Sequence, residues 1–191
     1  VRHGAGRGVT VRVAIAAAGS GGHVYPALAV AEALRGRGLG YDDIVFFGGD
    51  RMEATTVPEA GYPFVEIEIR GLRRSLSADN LRLPAVVRRA RAAIMDEMRS
   101  RRLAVMAVFG GYIAGPAALA ARALARPVVV HEANAVPGLA NRLIARRADV
   151  VYTSFRAAAE RLPGAEVIGS PLRSAFEDFD RTARRPAARR R

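Results

Sequence analysis

Short apolar runs alternate with stretches of helical periodicity along almost the whole chain. Val11 to Ala17 is a near-continuous apolar run, the pattern of a strand covered on both faces. Pro26 then opens a helix where its missing N–H costs nothing; Ala27, Leu28, Ala31 and Leu34 form the apolar face, and Gly36 and Gly38 the stop. A strand is predicted over Ile44 to Phe47 and a short helix over Met52 to Ala60, ended by Gly61. From Phe64 to Ile69, Val65, Ile67 and Ile69 alternate with Glu66 and Glu68, which suits a strand with one wetter face. Pro84 to about Arg101 reads as a basic amphipathic helix, Leu103 to Phe109 as a buried strand, and another helix opens at Pro116. The remainder predicts a strand over Val128 to His131, a helix over Gly138 to Arg147 and a strand over Val150 to Thr153. A helix over Phe155 to Leu162 and a short strand at Val167-Ile168 complete the pattern. Such alternation argues an α/β fold, a parallel sheet with helices on both faces, whose ligands gather beyond the carboxyl ends of the strands.

The informative motifs fall at those strand ends. Ala18-Gly19-Ser20-Gly21-Gly22-His23 joins the first strand to the first helix. Glycines there let the backbone turn and approach a ligand, and the free N–H groups and dipole of a helix start favour an anion such as phosphate. Three readings compete: a tight turn without ligand, a dinucleotide fold, and a sugar-transferase loop. The dinucleotide pattern wants glycine where Val24 stands, and Gly48-Gly49-Asp50 is a poor ribose site. A Walker loop is excluded because the chain has no lysine. A second strand–glycine–helix junction, Phe109-Gly110-Gly111-Tyr112, would add another wall to an anion cleft suited to a diphosphate. His131-Glu132-Ala133-Asn134 marks a third strand end and reads either as a helix cap or as a sugar-binding pair. His23 reads either as a packing or capping residue or as a proton-transfer group, given an ordinary imidazole pKa of about 6.5. The three histidines lie too far apart in sequence for metal-ligand spacing, so no metal and no cofactor is expected.

Composition adds bounds. With 191 residues, half of them apolar, the chain can bury one core of ordinary size. It has no cysteine, no apolar run near the ~20 residues that cross a bilayer, and no signal-type apolar core in Val1 to Thr10. A soluble intracellular protein is the expectation. The net charge is +12, carried entirely by arginine. A GC-rich genome would produce that bias without any special partner, and a basic surface for an anionic membrane would produce it too. Nucleic acid is not expected as a partner, because few aromatics sit near the basic clusters and no reader motif is present. Leu72-Arg73-Arg74-Ser75-Leu76, with Leu81, Leu83, Val86 and Val87 among Arg82, Arg88 and Arg89, fits either an ordinary amphipathic surface or contact with an anionic bilayer.

The stretch Gly19 to Ala31 resembles the first glycine loop of the MurG family, the UDP-N-acetylglucosamine:undecaprenyl-diphospho-muramoylpentapeptide N-acetylglucosaminyltransferases. Asp50 to Ala54, Gly110 to Tyr112 with Gly115-Pro116, His131 to Asn134 with Pro137 to Leu139, and Gly169 to Arg173 match in the same order. The family more often has threonine at Ser20, glutamine at Ala133 and asparagine at Ser170. The resemblance implies the Rossmann-like amino-terminal half of a GT-B glycosyltransferase. Residues 1–10 would be a disordered extension, 11–173 the acceptor-binding domain and 174–191 a linker and basic tail, with the donor-binding carboxyl-terminal domain absent. It implies inverting transfer of N-acetylglucosamine from UDP-GlcNAc to lipid I, forming lipid II in peptidoglycan synthesis. His23 and Glu132 become the catalytic candidates. Ser20, Gly21, Gly22, Asn134 and Arg173 would touch the UDP-sugar, and the loop of Gly110, Gly111 and Tyr112 would help hold the lipid diphosphate. The implied location is peripheral, on the cytoplasmic face of the cell membrane. The chain is expected to be inactive alone; otherwise it is a non-catalytic lipid-diphosphate-binding subunit whose donor domain is a separate chain.

Overall fold

The computed structural model describes residues 11–69 and 83–173. Strands β1 (Val13–Ala17) and β2 (Ile44–Gly48) are buried at every position, as continuous apolar runs must be in a parallel sheet covered on both faces. They join β3 (Phe64–Glu66), β4 (Val105–Gly110), β5 (Val128–Glu132), β6 (Val150–Thr153) and β7 (Ala165–Val167) in one sheet of order β3-β2-β1-β4-β5-β6-β7. Every pairing is parallel.

Side-chain alternation divides the core into two layers. Val13, Ile15 and Ala17 of β1 face α1 (Gly21–Gly36) and α2 (Glu53–Glu59), where Leu28, Ala31 and Val57 pack. Ala14 and Ala16 face the layer of α3 (Leu83–Ser100), α4 (Ala114–Ala123) and α5 (Leu139–Ala145). In α3 the buried residues are Ala90, Ile94 and Met98, four apart on one face, while Arg88, Arg89 and Arg99 are exposed. A single turn, α6 (Arg156–Ala159), joins β6 to β7. Helices on both faces of a parallel sheet are what the apolar pattern predicts. The strand order reverses between β1 and β4, so the crevice at their carboxyl ends is the topological switch point.

Several boundaries differ from expectation. The first helix starts at Gly21, not Pro26: Ser20 is its N-cap, with φ −151° and ψ 155°. Pro26 is then the sixth helical residue, and the hydrogen bond it lacks would have gone to the carbonyl of Gly22, an exposed residue open to water. The helix α4 likewise begins before Pro116, at Ala114. The strand predicted over Phe64 to Ile69 stops at Glu66, because β2 ends at Gly48 and the Ile67 N–H takes the last rung on the Gly48 carbonyl. The helix expected over Phe155 to Leu162 is α-helical only to Ala159, and i→i−3 bonds of the 3₁₀ type carry it on to Leu162. The segment Leu72 to Arg82 with its apolar–arginine mixture, the extension 1–10 and the tail 174–191 lie outside the described residues.

Candidate functional site

At the end of β1 the chain turns through Gly19 (φ +90°) into α1. The His23 and Val24 N–H groups both bond the Ser20 carbonyl, at 3.0 and 3.1 Å. That leaves Gly21 and Gly22 as the first-turn donors without an intrahelical partner, at the positive end of the helix dipole. The Ser20 side chain caps no backbone N–H; its Oγ lies 3.2 Å from His23 Nδ1. His23 Nδ1 is also 3.0 Å from the Ala18 carbonyl oxygen. A carbonyl only accepts, so this contact places a proton on Nδ1, and in the neutral ring the lone pair is then on Nε2. The ring lies over Gly110, where any Cβ would sit 2.8 Å from Nε2.

The second glycine junction interlocks with the first. Gly110 and Gly111 have φ +121° and +83°, and a Cβ on Gly111 would overlap the Ala18 carbonyl. Tyr112 follows, its ring edge beside Gly19 and its hydroxyl donating to Glu53 Oε1 at 3.0 Å. Burial, then the hydrogen bond and charge of Glu53, push the Tyr112 phenol well above its ordinary range, so it stays protonated. The pair Gly110-Gly111 therefore admits His23 and the β1 turn to close contact with β4.

Glu53 is the residue that sequence reasoning passed over. It has no role in the sequence reading beyond its place in the Asp50 to Ala54 match, yet at the first position of α2 it is fully buried. Its carboxylate accepts the Gly19 N–H on Oε2 and the Gly49 N–H on Oε1, each at 3.1 Å, besides the Tyr112 hydroxyl.

At the end of β5, Glu132 is 1% exposed and both of its oxygens are occupied. Oε1 accepts the Asn134 N–H at 2.9 Å and Asn134 Nδ2 at 2.8 Å. Oε2 accepts the Gly138 N–H at 3.1 Å and Asn141 Nδ2 at 2.9 Å. The carboxylate thus fastens the loop after β5 to the start of α5 and turns the exposed Asn134 towards solvent. Beside it the buried His131 donates from Nε2 to the Gly169 carbonyl at 3.3 Å and packs on Phe109. Burial lowers its pKa, against smaller opposing effects of Gly169 and Glu132, so the ring is neutral at pH 7.

Ser20, Gly21, Gly22, His23, Gly110, Gly111 and Tyr112 are brought together at the switch point, with Glu132 and Asn134 on the next strand end. Arg173 is not brought there. Its Nε pairs with Glu32 at 2.7 Å, nine residues beyond His23 on α1. That is about 14 Å along the axis at ~1.5 Å per residue. Among the described residues no group of acidic or histidine side chains could hold a metal ion.

Residues 13–153 match the glycosyltransferase family 28 N-terminal domain. The chain belongs to this family. It is 42% identical over 174 residues to a UDP-N-acetylglucosamine--N-acetylmuramyl-(pentapeptide) pyrophosphoryl-undecaprenol N-acetylglucosamine transferase of Leifsonia xyli, covering 91% of this chain and 48% of that protein. The enzyme of the same name from Acidithiobacillus ferrooxidans is 44% identical over 165 residues, covering 86% of this chain and 44% of its own length. The crystal structure of Acinetobacter baumannii MurG superposes with a TM-score of 0.70 at 32% identity, over 90% of this chain and 49% of that one. The chain therefore spans about half the length of the curated relatives it matches. Its sheet is the amino-terminal domain of a GT-B glycosyltransferase. Within this family 28 domain the matched span includes both glycine junctions, Glu53 and Glu132 to Asn134, and leaves Arg173 outside.

Proposed function

We propose that this chain is the acceptor-binding half of an inverting N-acetylglucosaminyltransferase that moves N-acetylglucosamine from UDP-N-acetylglucosamine to undecaprenyl-diphospho-muramoylpentapeptide. The observation that carries the reading is the pairing, on one helical turn, of the open Gly21 and Gly22 N–H groups with a His23 ring whose Nδ1 is engaged by the Ala18 carbonyl. The N–H groups suit a phosphate, and Nε2 suits the acceptor proton. In the reaction the muramoyl 4-hydroxyl gives its proton to Nε2 and its oxygen forms a bond to the anomeric carbon. The bond from that carbon to the UDP oxygen breaks on the opposite face, and UDP leaves as the anion with inversion of configuration. The imidazolium so formed keeps its Nδ1 proton on the Ala18 carbonyl.

Glu132 takes a positioning role in this scheme rather than that of the base. Four donors already occupy its oxygens, and the exposed Asn134 that it holds is the sugar contact in this reading. Arg173 would reach the donor only by leaving Glu32. In the test, the chain is mixed with, or fused to, the carboxyl-terminal half of the Leifsonia relative, and transfer of labelled N-acetylglucosamine to the lipid acceptor is measured. Transfer by the combination and by neither half alone is expected. Folded partners that give no transfer in either format would sink the reading.

The lipid end of the acceptor calls for a bilayer surface, and α5 offers one. Leu139 and Leu143, one turn apart, are 71% and 58% exposed, Val136 is 70% exposed, and Arg142, Arg146 and Arg147 surround them. Leu119 of α4 is exposed in the same helix layer. Apolar side chains among arginines fit an anionic interface, with peripheral attachment on the cytoplasmic face. Among the described residues no helix is long and apolar enough to cross a membrane. The chain should float with vesicles containing anionic lipid at low salt, and Leu139→Asp with Leu143→Asp should release it. Equal flotation of the double variant would remove α5 from the attachment surface.

A further inference from the structure

We propose that Glu53 is the positioning residue of the crevice, a buried carboxylate that holds the ends of β1, β2 and β4 together and so aims the Gly21 and Gly22 N–H groups and His23. The inference rests on the diphosphate reading of that crevice. Glu53 takes one donor from each strand end: the Gly19 N–H after β1, the Gly49 N–H after β2 and the Tyr112 hydroxyl after β4. Gly19 is where the backbone turns through positive φ, and the next residue is the N-cap of α1. Fixing the Gly19 N–H therefore fixes the angle at which α1 leaves the sheet.

The glycines at the end of β2 are shaped around this carboxylate. A Cβ on Gly48 would sit 2.7 Å from Glu53 Cγ, and one on Gly49 would overlap the Tyr112 hydroxyl. Gly48-Gly49 is thus room made for Glu53 and Tyr112, which accounts for a glycine pair that fits no dinucleotide pattern. A carboxylate is required because both of its oxygens receive N–H donors. A glutamine of the same shape has one oxygen and one NH₂ group, so at one end a buried amide would face another donor.

The experiment uses the whole chain and inorganic pyrophosphate as the probe, followed on the amide resonances of Gly21 and Gly22. Glu53→Gln should bind pyrophosphate at least about tenfold more weakly than the unsubstituted chain, the scale of one lost buried hydrogen bond. Val57→Ala, a core truncation in the same helix, should lower the melting temperature without that loss of affinity. Equal affinity in Glu53→Gln and the unsubstituted chain would overturn the proposal, as would an equal loss in Val57→Ala. Should Glu53→Gln fail to fold, amide exchange in the unsubstituted chain decides. The Gly19 and Gly49 protons should exchange slowly, on the order of a hundredfold or more below an open amide, and free exchange at either would overturn the proposal. If the unsubstituted chain binds no pyrophosphate, the diphosphate reading falls, and the same exchange measurement still judges Glu53.

Discussion

Gly111→Ala should cost at least about 3 kcal/mol of folding stability. Two terms contribute. At φ +83° an L-residue carries roughly 1–2 kcal/mol of backbone strain. The added Cβ also overlaps the Ala18 carbonyl, a backbone atom that moves only if the end of β1 moves. Gly164→Ala separates the two, because Gly164 has φ +66° with nothing within 4 Å of its Cβ position. It should show the strain alone, about 1–2 kcal/mol. Urea unfolding of both variants makes the comparison. Equal losses would mean that the β1 and β4 junctions are not in the contact described. A loss near 3 kcal/mol is a large share of the ~5–15 kcal/mol that keeps an ordinary domain folded.

His23→Ala should lower the transfer rate of the assembled enzyme by about 10²- to 10⁴-fold, the usual contribution of a general base. The fold should be little changed, since the ring is half-buried over a glycine and not locked in the core. His23→Gln can keep a donor to the Ala18 carbonyl but accepts no proton near pH 7, so it should be about as slow. Ser20→Ala should have a smaller effect, because Ser20 Oγ is the longer of the two contacts at Nδ1, 3.2 Å against 3.0 Å. A drop of less than tenfold in His23→Ala would take the base role away from His23.

The places of the strands along the chain and their parallel type were legible because buried parallel strands announce themselves as unbroken apolar runs, as in Val13–Ala17 and Ile44–Gly48; their order in the sheet was not. Helix starts were less legible. Proline marks a first turn so often that Pro26 hid the true start at Gly21, and glycine is too poor a helix former to signal one. Two of the strand-end motifs come together in space: Ser20 to His23 and Gly110 to Tyr112 meet at the switch point. Which atoms stay free was not legible. The donors on Glu132 lie within nine residues but meet its oxygens only once the loop after β5 has folded back, and Arg173 pairs with a Glu32 that lies 141 positions away. Glu53 was hidden for a related reason: its three donors come from three separate strand ends and share no local spacing.

The position of β1 also bears on how the domain is made. Of the seven described strands it comes first in the chain, yet it ends in the middle of the sheet, paired on one side with β2 and on the other with β4. Until Val105–Gly110 has been synthesised, the nascent chain carries an apolar strand with one open row of N–H and C=O groups. Strand exchange with another nascent chain competes at that row throughout the delay. The Gly111–Ala18 contact forms only when β4 wins that competition, so a chain that has formed the crevice is also one that has closed its own edge.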